Sequence, residues 1–181
     1  HFSGQPYSRR EELEHVKELV SILNNYQGKS RLYIVPFGEI QKNISLNSSV
    51  PSGLRTIIYR RLMFKIAEKI ASRCNAKALV TGESLAQVAS QTLINLATIN
   101  ESVKDIPVLR PLIGMNKEEI IAESVLIGTH DVSSLPCTDT CSLFASGVPE
   151  TAAKIPYVLE VEKSINSEEI IKNALRSIVK V

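Results

Sequence analysis

A long central segment, from Leu54 to about Arg73, carries apolar residues on one side. The spacing of four residues places these side chains on one face of a predicted α-helix. They are Leu54, Ile58, Leu62, Ile66 and Ile70. A stripe of basic residues, Arg61, Lys65, Lys69 and Arg73, runs beside them. Such a stripe is more often a solvated face than a phosphate-binding surface, and both interpretations stay open.

Three further helices are predicted from their first residues. Ser8 with Glu11 fits a capping box and predicts a helix to about Tyr26. Asn116 opens a second helix by the same pattern, and a glycine at position 128 ends it. Ser167 opens a terminal helix. The polar, Ser- and Asn-rich residues 41–53 instead predict a mobile loop.

Short apolar strands alternate with these helices, at 31–37, before Gly82 and at 108–112. Strands separated by helices of this length predict an α/β fold with a parallel, doubly wound sheet and helices on both faces. We expect a single domain over residues 1–181, with ligands at the carboxyl ends of the strands. Because the chain opens with the pattern of a strand's last residues, His1 to Gly4, we also expect a preceding βα unit.

The junction at residues 79–91, LVTGESLAQVASQ, is the strongest candidate for a ligand site. After the apolar run and Gly82, helical spacing predicts a helix with an inward face: Leu85, Val88, Ala89, Thr92, Leu93 and Leu96. A strand that turns at a glycine into a helix gathers backbone N–H groups around a phosphate or nucleotide. Gln87 and Gln91 lie on another stripe, where amides can read a base. A purely steric role for the glycine is the alternative.

Composition narrows the classes of protein. The 181 residues are 44% hydrophobic with a net charge of +2, which gives no global argument for nucleic acid or an anionic membrane. No apolar run approaches the roughly 20 residues that a membrane helix needs, and no signal peptide is recognisable. Three unevenly spaced cysteines do not form a secreted disulfide framework. We therefore expect a cytoplasmic protein without a membrane partner.

Two cysteines lie four residues apart in a Ser-, Thr- and Pro-rich loop at residues 129–150. Cys137 and Cys141 suggest a redox pair, a sulfur carrier or a metal half-site, and buried structural thiols are the alternative. A CxxxC pair is a weak zinc signal, and Cys74 does not complete it. We predict no metal-binding residues in this chain.

Four blocks of sequence, in order, resemble one known family. ALVTGESLAQVASQTLINL, VLRPLIGMNKEEII, IGT and LPCTDTC are similar to the catalytic domain of the tRNA 4-thiouridine synthetases, or ThiI-type thiamine-biosynthesis sulfur-transfer proteins. The resemblance implies a PP-loop ATP pyrophosphatase fold, Rossmann-like and of the adenine nucleotide alpha hydrolase type. It also implies that ATP, accompanied by Mg²⁺, adenylates a tRNA uridine and that persulfide sulfur then displaces AMP. The product is 4-thiouridine, and thiamine thiazole synthesis is a possible second task.

The resemblance also assigns residues. It implies nucleotide contacts for His1, Phe2, Arg60, Gly82 and Gln91. In the cysteine loop it implies a sulfur-handling role for Cys141 and a partner role for Cys137. The implied partners are tRNA, a sulfur donor such as a cysteine desulfurase or sulfide, and a second copy in a homodimer.

One motif of the family is not in the sequence. The phosphate loop SGGxDS, whose amides would hold pyrophosphate, is expected in the preceding βα unit. Two hypotheses therefore stand. The chain is most of the catalytic domain of an ATP-consuming sulfurtransferase, or it is a truncated, inactive homologue that acts as a nucleotide-binding or assembly module.

Overall fold

The computed structural model describes residues 1–138 and 140–181. Helices and strands alternate through most of this part of the chain. The helices are α1 (Glu11–Gln27), α2 (Gly38–Leu46), α3 (Arg55–Arg73), α4 (Leu93–Asn100), α5 (Lys117–Leu126), α6 (His130–Ser133), α7 (Ile155–Ser164) and α8 (Ser167–Arg176). The strands are β1 (Phe2–Ser3), β2 (Tyr33–Pro36), β3 (Leu79–Val80), β4 (Val108–Leu109) and β5 (Val179–Lys180). The predicted α/β class is confirmed.

The strands form two small sheets. In the first, β1 pairs with β2 in parallel, and β5 pairs with the other edge of β2 in the antiparallel direction. In the second, β3 and β4 are parallel. The prediction of a wholly parallel sheet is therefore wrong at β5. This strand reaches β2 directly from the end of α8, without the crossover that parallel pairing requires.

Helix α3 is the centre of the hydrophobic core, as the apolar spacing predicts. Leu54, just before it, is 3% exposed, and Ile58, Leu62 and Ile66 are inaccessible to solvent. Each such side chain contributes about 1.5–3 kcal/mol by leaving water. Tyr59 is also buried, and this burial raises its pKa to about 12, although nearby Arg55 acts in the opposite direction.

The basic stripe on α3 is only partly solvated. Arg61 is 1% exposed, and its Nε and Nη2 lie 3.0 and 3.1 Å from the two carboxylate oxygens of Glu162 on α7. Glu101 accepts a second bond from Nη2 at 2.8 Å, and the Lys65 Nζ lies 2.8 Å from Glu162. Half of the stripe therefore joins α3 to α7 rather than facing water.

Helices α2 and α7 were not predicted. The polar residues after position 40 indicated a loop, yet Gln41 is buried in α2, where its Nε2 donates to the carbonyl of Thr140 at 2.5 Å. Gly38 allows α2 to begin there, because a Cβ at this position would overlap the carbonyl oxygens of Gly4 and Gln5. In α7, Pro156 occupies the first turn, which proline tolerates, and marks the beginning of the helix.

One of the predicted helix beginnings differs from the structure, and two are confirmed. Helix α1 has no side-chain cap at Ser8, and Glu12 instead accepts the N–H of Arg9 at 3.4 Å. Helix α8 begins at Ser167 as predicted, with Asn166 as the residue before it. The capping box of Asn116 and Glu119 is present as predicted, with bonds of 3.0 and 2.7 Å.

The ion pair between α3 and α7 yields a stability prediction. Replacing Glu162 by alanine leaves Arg61 charged and buried without its main partner, so we expect the free energy of unfolding to fall by about 3–5 kcal/mol. Urea denaturation followed by circular dichroism measures this change. Glu160→Ala, at an exposed position of the same helix, is the control and should change stability by less than about 0.5 kcal/mol. Equal effects of the two variants would contradict the role of the pair.

Candidate functional site

The segment after β3 is a turn held by side chains, and not the helix that periodicity predicted. Ala86 has a left-handed backbone, with φ of 61°, which interrupts helical geometry. The Ser84 hydroxyl donates to the carbonyl of Met115 at 2.7 Å. Only after a short 3-10 turn at Ala89–Gln91 does α4 begin, with the Thr92 side chain capping it. No helix N-terminus therefore lies at Gly82.

The apolar residues expected on an inward face illustrate the same correction. Leu85, Val88 and Leu93 are 39%, 55% and 70% exposed, whereas Leu96, inside α4, is 7% exposed. Their spacing is helical, but the backbone between positions 84 and 92 is not. The amides of this segment therefore cannot act as one aligned set of donors.

Glu83, in the turn after β3, joins two arginines. Its side chain is 3% exposed, and its Oε1 accepts from Arg60 Nη2 on α3. Its Oε2 lies 2.6 Å from Arg110 Nε and 3.0 Å from the hydroxyl of Thr81. Arg60 also donates through Nη1 to the Ser90 hydroxyl at 3.1 Å. One carboxylate thus pairs with two guanidinium groups, and these three side chains together carry one formal positive charge.

Arg60 lies between two cavities. The first, which we call the loop cavity, has a volume of about 340 Å³ and is bounded by α3, the 3-10 turn and the cysteine loop. Its lining includes Gly53, Thr56, Arg60, Val88, Ser90, Gln91, Cys141 and Glu150. The second, the strand cavity, has a volume of about 250 Å³. It is lined by Phe2, Arg60, Met63, Phe64, Ala67, Leu79, Val80, Thr81 and Cys141.

Arg60 and Cys141 line both cavities, so a cation and a thiol converge on one region. Cys141 is half-buried and packs against the core. Within the described residues, two buried polar atoms at these cavities have no hydrogen-bond partner, Arg60 Nε and Gln91 Oε1. Buried polar atoms of this kind normally have a partner, so they fit a polar ligand with both an acceptor and a donor. The apolar wall of the strand cavity suits a flat ring.

Cys137 lines a different cavity, of about 210 Å³, which we call the α1 cavity. The thiol-bearing residue is exposed, and His1, Glu12 and His15 line the same space. The backbone N–H of the next residue, Thr138, donates to Glu12 Oε1 at 2.5 Å and ties the cysteine loop to α1. The two cysteines therefore face different parts of the surface.

The hydrogen bond between Thr138 and Glu12 lowers the pKa of the Glu12 carboxyl group. Although burial acts to raise it, the bond from the backbone of Thr138, with further bonds from Ser8, the Thr138 side chain and Arg9, holds the pKa of Glu12 below its ordinary value of 4.5. The carboxylate is therefore charged throughout the neutral range, and its acceptor atoms hold the loop beside Cys137.

The structure brings together some of the residues predicted for the site and separates others. Phe2, Arg60, Gln91 and Cys141 surround the loop and strand cavities. His1 and Cys137 lie at the α1 cavity instead. Gly82 is exposed, with no atom near the position of a Cβ, so its side of the turn is sterically open.

Sequence reasoning did not assign Glu83, Ser90 and Arg110. The signal available for Glu83 was an acidic residue directly after an apolar strand, where a buried carboxylate needs a cationic partner. Arg110, immediately after β4, is that partner at the neighbouring strand end.

Neither a metal-binding group nor a membrane span is found in residues 1–138 and 140–181. No three His, Cys, Asp or Glu side chains are arranged to hold a metal ion in this part of the chain. None of its helices has both the length and the apolar character needed to cross a bilayer.

Comparison with known proteins gives consistent matches. The family model described as "Thiamine biosynthesis protein (ThiI)" matches residues 1–167. Proteins named "Probable tRNA sulfurtransferase" from Thermus thermophilus and Acetivibrio thermocellus are each 44% identical to this chain, over 176 and 177 residues. These matches cover 97% and 98% of the chain, but 43% and 44% of the relatives.

A solved structure is similar over the same extent. The crystal structure of a 4-thiouridine synthetase–RNA complex with bound ATP matches with a TM-score of 0.89 at 36% identity. The match covers 99% of this chain and 47% of that chain. The chain therefore spans less than half the length of these relatives.

The tie between α1 and the cysteine loop predicts a pH dependence. Because the pKa of Glu12 is lower in the folded state than in the unfolded state, its stabilising contribution is present at neutral pH. This contribution is lost as the pH falls below 4.5 towards the folded-state value. Glu12→Gln should lower the free energy of unfolding by about 1–2 kcal/mol at pH 7, and the difference from wild type should shrink in acid.

Urea denaturation at a series of pH values from 7 to about 3 measures this dependence. Glu11→Gln, at the neighbouring exposed position, is the control and should track wild type throughout. A Glu12→Gln deficit that stays constant with pH would contradict the role of the ionised carboxylate.

Proposed function

Because this chain belongs to the thiamine biosynthesis protein (ThiI) family, we propose that it is most of the catalytic domain of an ATP-dependent tRNA sulfurtransferase. The resemblance to the tRNA 4-thiouridine synthetases, drawn from four sequence blocks, is confirmed at the level of the family. The single observation that carries the proposal is the convergence of Arg60 and Cys141 on the same two cavities. A cation for a nucleotide and a thiol for sulfur are the two groups that this reaction requires.

We assign ATP to the loop and strand cavities. Arg60 has five N–H donors, of which Glu83 and Ser90 use two, so three remain for the phosphates. Gln91 Oε1, which has no partner among the described residues, is suited to an amino group of the base. Phe2 and the apolar residues of the strand cavity give a surface for the ring. The solved relative carries ATP, which supports ATP as the nucleotide.

We propose the Rossmann-like PP-loop fold for this domain, with residues 1–181 belonging to one domain; the phosphate-loop motif SGGxDS does not occur within these residues. We assign Mg²⁺ to the phosphates of the nucleotide, as the resemblance implies. The triphosphate would be held partly by that phosphate loop, through backbone amides. His1 and Gly82 stay assigned to the nucleotide on the resemblance alone, because neither lines the two cavities.

The first chemical step that we propose is adenylation of a tRNA uridine. The O4 oxygen of the base attacks the α-phosphorus of ATP, the bond to the β-phosphate oxygen breaks, and pyrophosphate leaves. The positive charge of the Arg60 guanidinium stabilises the negative charge that develops on the phosphate oxygens. C4 of the uridine then carries AMP as a leaving group.

The second step transfers sulfur. A cysteine desulfurase donates the sulfane sulfur of its own persulfide to the Cys141 thiolate, beside the nucleotide, and the desulfurase cysteine leaves as a thiolate. Where sulfide is the donor, it adds to C4 directly and no persulfide forms. Because the two cysteines line different cavities in the structure, release of sulfur from the persulfide requires Cys137 to leave the α1 cavity and approach Cys141. The Cys137 thiolate then attacks the inner sulfur, the S–S bond of the persulfide breaks, and sulfide leaves with the electron pair. Sulfide adds to C4 and AMP departs, which forms 4-thiouridine. The Cys137–Cys141 disulfide that remains is reduced by a dithiol.

The wider role is also a proposal. The family description names thiamine biosynthesis, and we extend it to sulfur supply for the thiazole ring. The solved relative is an RNA complex, which supports tRNA as the substrate. A homodimer stays a prediction.

Loss of single nucleotide contacts gives the first test. In the full-length gene product, Arg60→Ala and Gln91→Ala should each weaken ATP binding by about 1–3 kcal/mol, because each removes a partly buried hydrogen-bonding group. Isothermal titration calorimetry measures the change. Lys69→Ala, at an exposed position on the same helix as Arg60, should bind ATP like wild type. If calorimetry shows no change for Arg60→Ala or Gln91→Ala, these residues are not in the site.

Replacement of each cysteine tests the sulfur step. Cys141→Ser should abolish 4-thiouridine formation in tRNA, measured by nucleoside mass spectrometry, and leave AMP binding nearly intact. Cys74→Ser is the control, since the Cys74 thiol contacts the Tyr33 hydroxyl away from the cavities. Equal activity of Cys141→Ser and wild type would exclude the sulfur-carrying role. A harmless Cys137→Ser would exclude the paired mechanism but not the role of Cys141. An inactive wild-type protein would favour the nucleotide-binding module instead.

A further inference from the structure

We propose that Glu83 is the positioning residue for the Arg60 guanidinium, and that Arg110 acts through Glu83 as its support. The inference rests on the proposed function, since it gives the oriented guanidinium a nucleotide to contact. It assigns a role in the site to two residues that lie outside both cavities.

The N–H donors of Arg60 are divided between two protein partners and the cavities. Glu83 takes Nη2 from one side and the Ser90 hydroxyl takes Nη1 from another, so the plane of the guanidinium is fixed by two bonds. Nε is buried and has no partner among the described residues. An arginine held at two points keeps its remaining N–H groups in a defined direction, which reduces the entropy lost when an anion binds.

Glu83 is itself held in place by other side chains. Its second oxygen accepts from Arg110 Nε at 2.6 Å and from the Thr81 hydroxyl at 3.0 Å. Arg110 is anchored in turn by Asn100, whose Oδ1 lies 3.0 Å from Nη1. The carboxylate therefore has little freedom to follow Arg60, and the geometry of the guanidinium is set by the ends of both β3 and β4.

The largely buried side chains of Glu83, Arg60 and Arg110 do not balance each other in charge. The Glu83 side chain is 3% exposed, and those of Arg60 and Arg110 are 12% and 15% exposed. A single carboxylate between two such cations leaves one positive charge that water screens poorly. An anionic ligand would complete this balance, whereas a neutral ligand would not. The cluster is therefore suited to the phosphates of a nucleotide.

A purely structural bridge between α3 and the strand ends is the competing explanation, and a double-mutant cycle separates the two. The full-length gene product is prepared as Arg60→Ala, Glu83→Gln and the double variant, and ATP affinity is measured by calorimetry. We expect Glu83→Gln to weaken ATP binding about tenfold, the size of one charge-assisted hydrogen bond. Because Glu83 acts through Arg60, the double variant should bind ATP as Arg60→Ala does.

Each alternative result has a distinct meaning. If Arg60→Ala binds ATP like wild type, the nucleotide site of the proposed function fails. If Arg60→Ala is weakened but Glu83→Gln is not, only the positioning role fails. Additive losses in the double variant would also overturn it, since Glu83 would then act independently of Arg60.

Two further variants keep the test informative if Glu83→Gln does not fold. Arg110→Gln leaves Glu83 in place and removes its support, so it should weaken ATP binding in the wild-type background and have no effect with Arg60→Ala. Glu162→Gln perturbs an equally buried carboxylate that pairs with Arg61 away from the cavities. It should lower the melting temperature without changing ATP affinity. An equal loss of affinity in Glu162→Gln would show that the effect is general destabilisation, and would overturn the positioning role.

Discussion

The ion pair between Arg60 and Glu83 joins the central helix to the turn after β3, and the two cavities depend on that junction. Helix α3 is fixed by its apolar face, with Ile58 and Leu62 fully buried. Backbone bonds from Thr81 and Leu85 attach the turn to β4 and the segment after it, at Leu109 and Ile113. Its connection to α3 is the side-chain bond between Glu83 and Arg60. Without the pair, the guanidinium would have no defined direction at the cavities. A functional arrangement on an irregular segment is thus held by a regular helix.

The helices that were predicted correctly are those determined by residues close together in the sequence. Helix α3 follows from its apolar spacing and α5 from the capping box at Asn116, both of which involve residues within a few positions of each other. The prediction of a helix directly after Gly82 was wrong, because the apolar residues spaced there do not form a buried helical face. The backbone there is held by the bonds of Glu83, whose partners lie 23 and 27 positions away, and by the bond from the Leu85 N–H to the carbonyl of Ile113. Strand β5 was not predicted, because its pairing with β2 joins distant parts of the chain.

The sequence predicted most residues of the candidate site, but it did not predict how they are arranged in space. The resemblance named Phe2, Arg60, Gln91 and Cys141, and these four converge on adjoining cavities. It also named Cys137 as a close partner of Cys141, yet the structure places that residue at the α1 cavity, with the bond from Thr138 to Glu12 holding the loop there. The course of the cysteine loop is set by individual bonds of this kind. The four-residue separation of the two cysteines in the sequence does not predict them. In the proposed mechanism, this places the exposed cysteine towards the surface and the half-buried one beside the nucleotide.

The central claim is that Cys141, and not Cys137, shares its cavity with the nucleotide. The rate of alkylation of each cysteine by iodoacetamide tests it most directly, followed by peptide mass spectrometry of the full-length gene product with and without ATP. The account predicts that ATP slows the alkylation of Cys141 and leaves the rate at Cys137 unchanged. Protection of Cys137 alone, or no protection of Cys141 at saturating ATP, would contradict it.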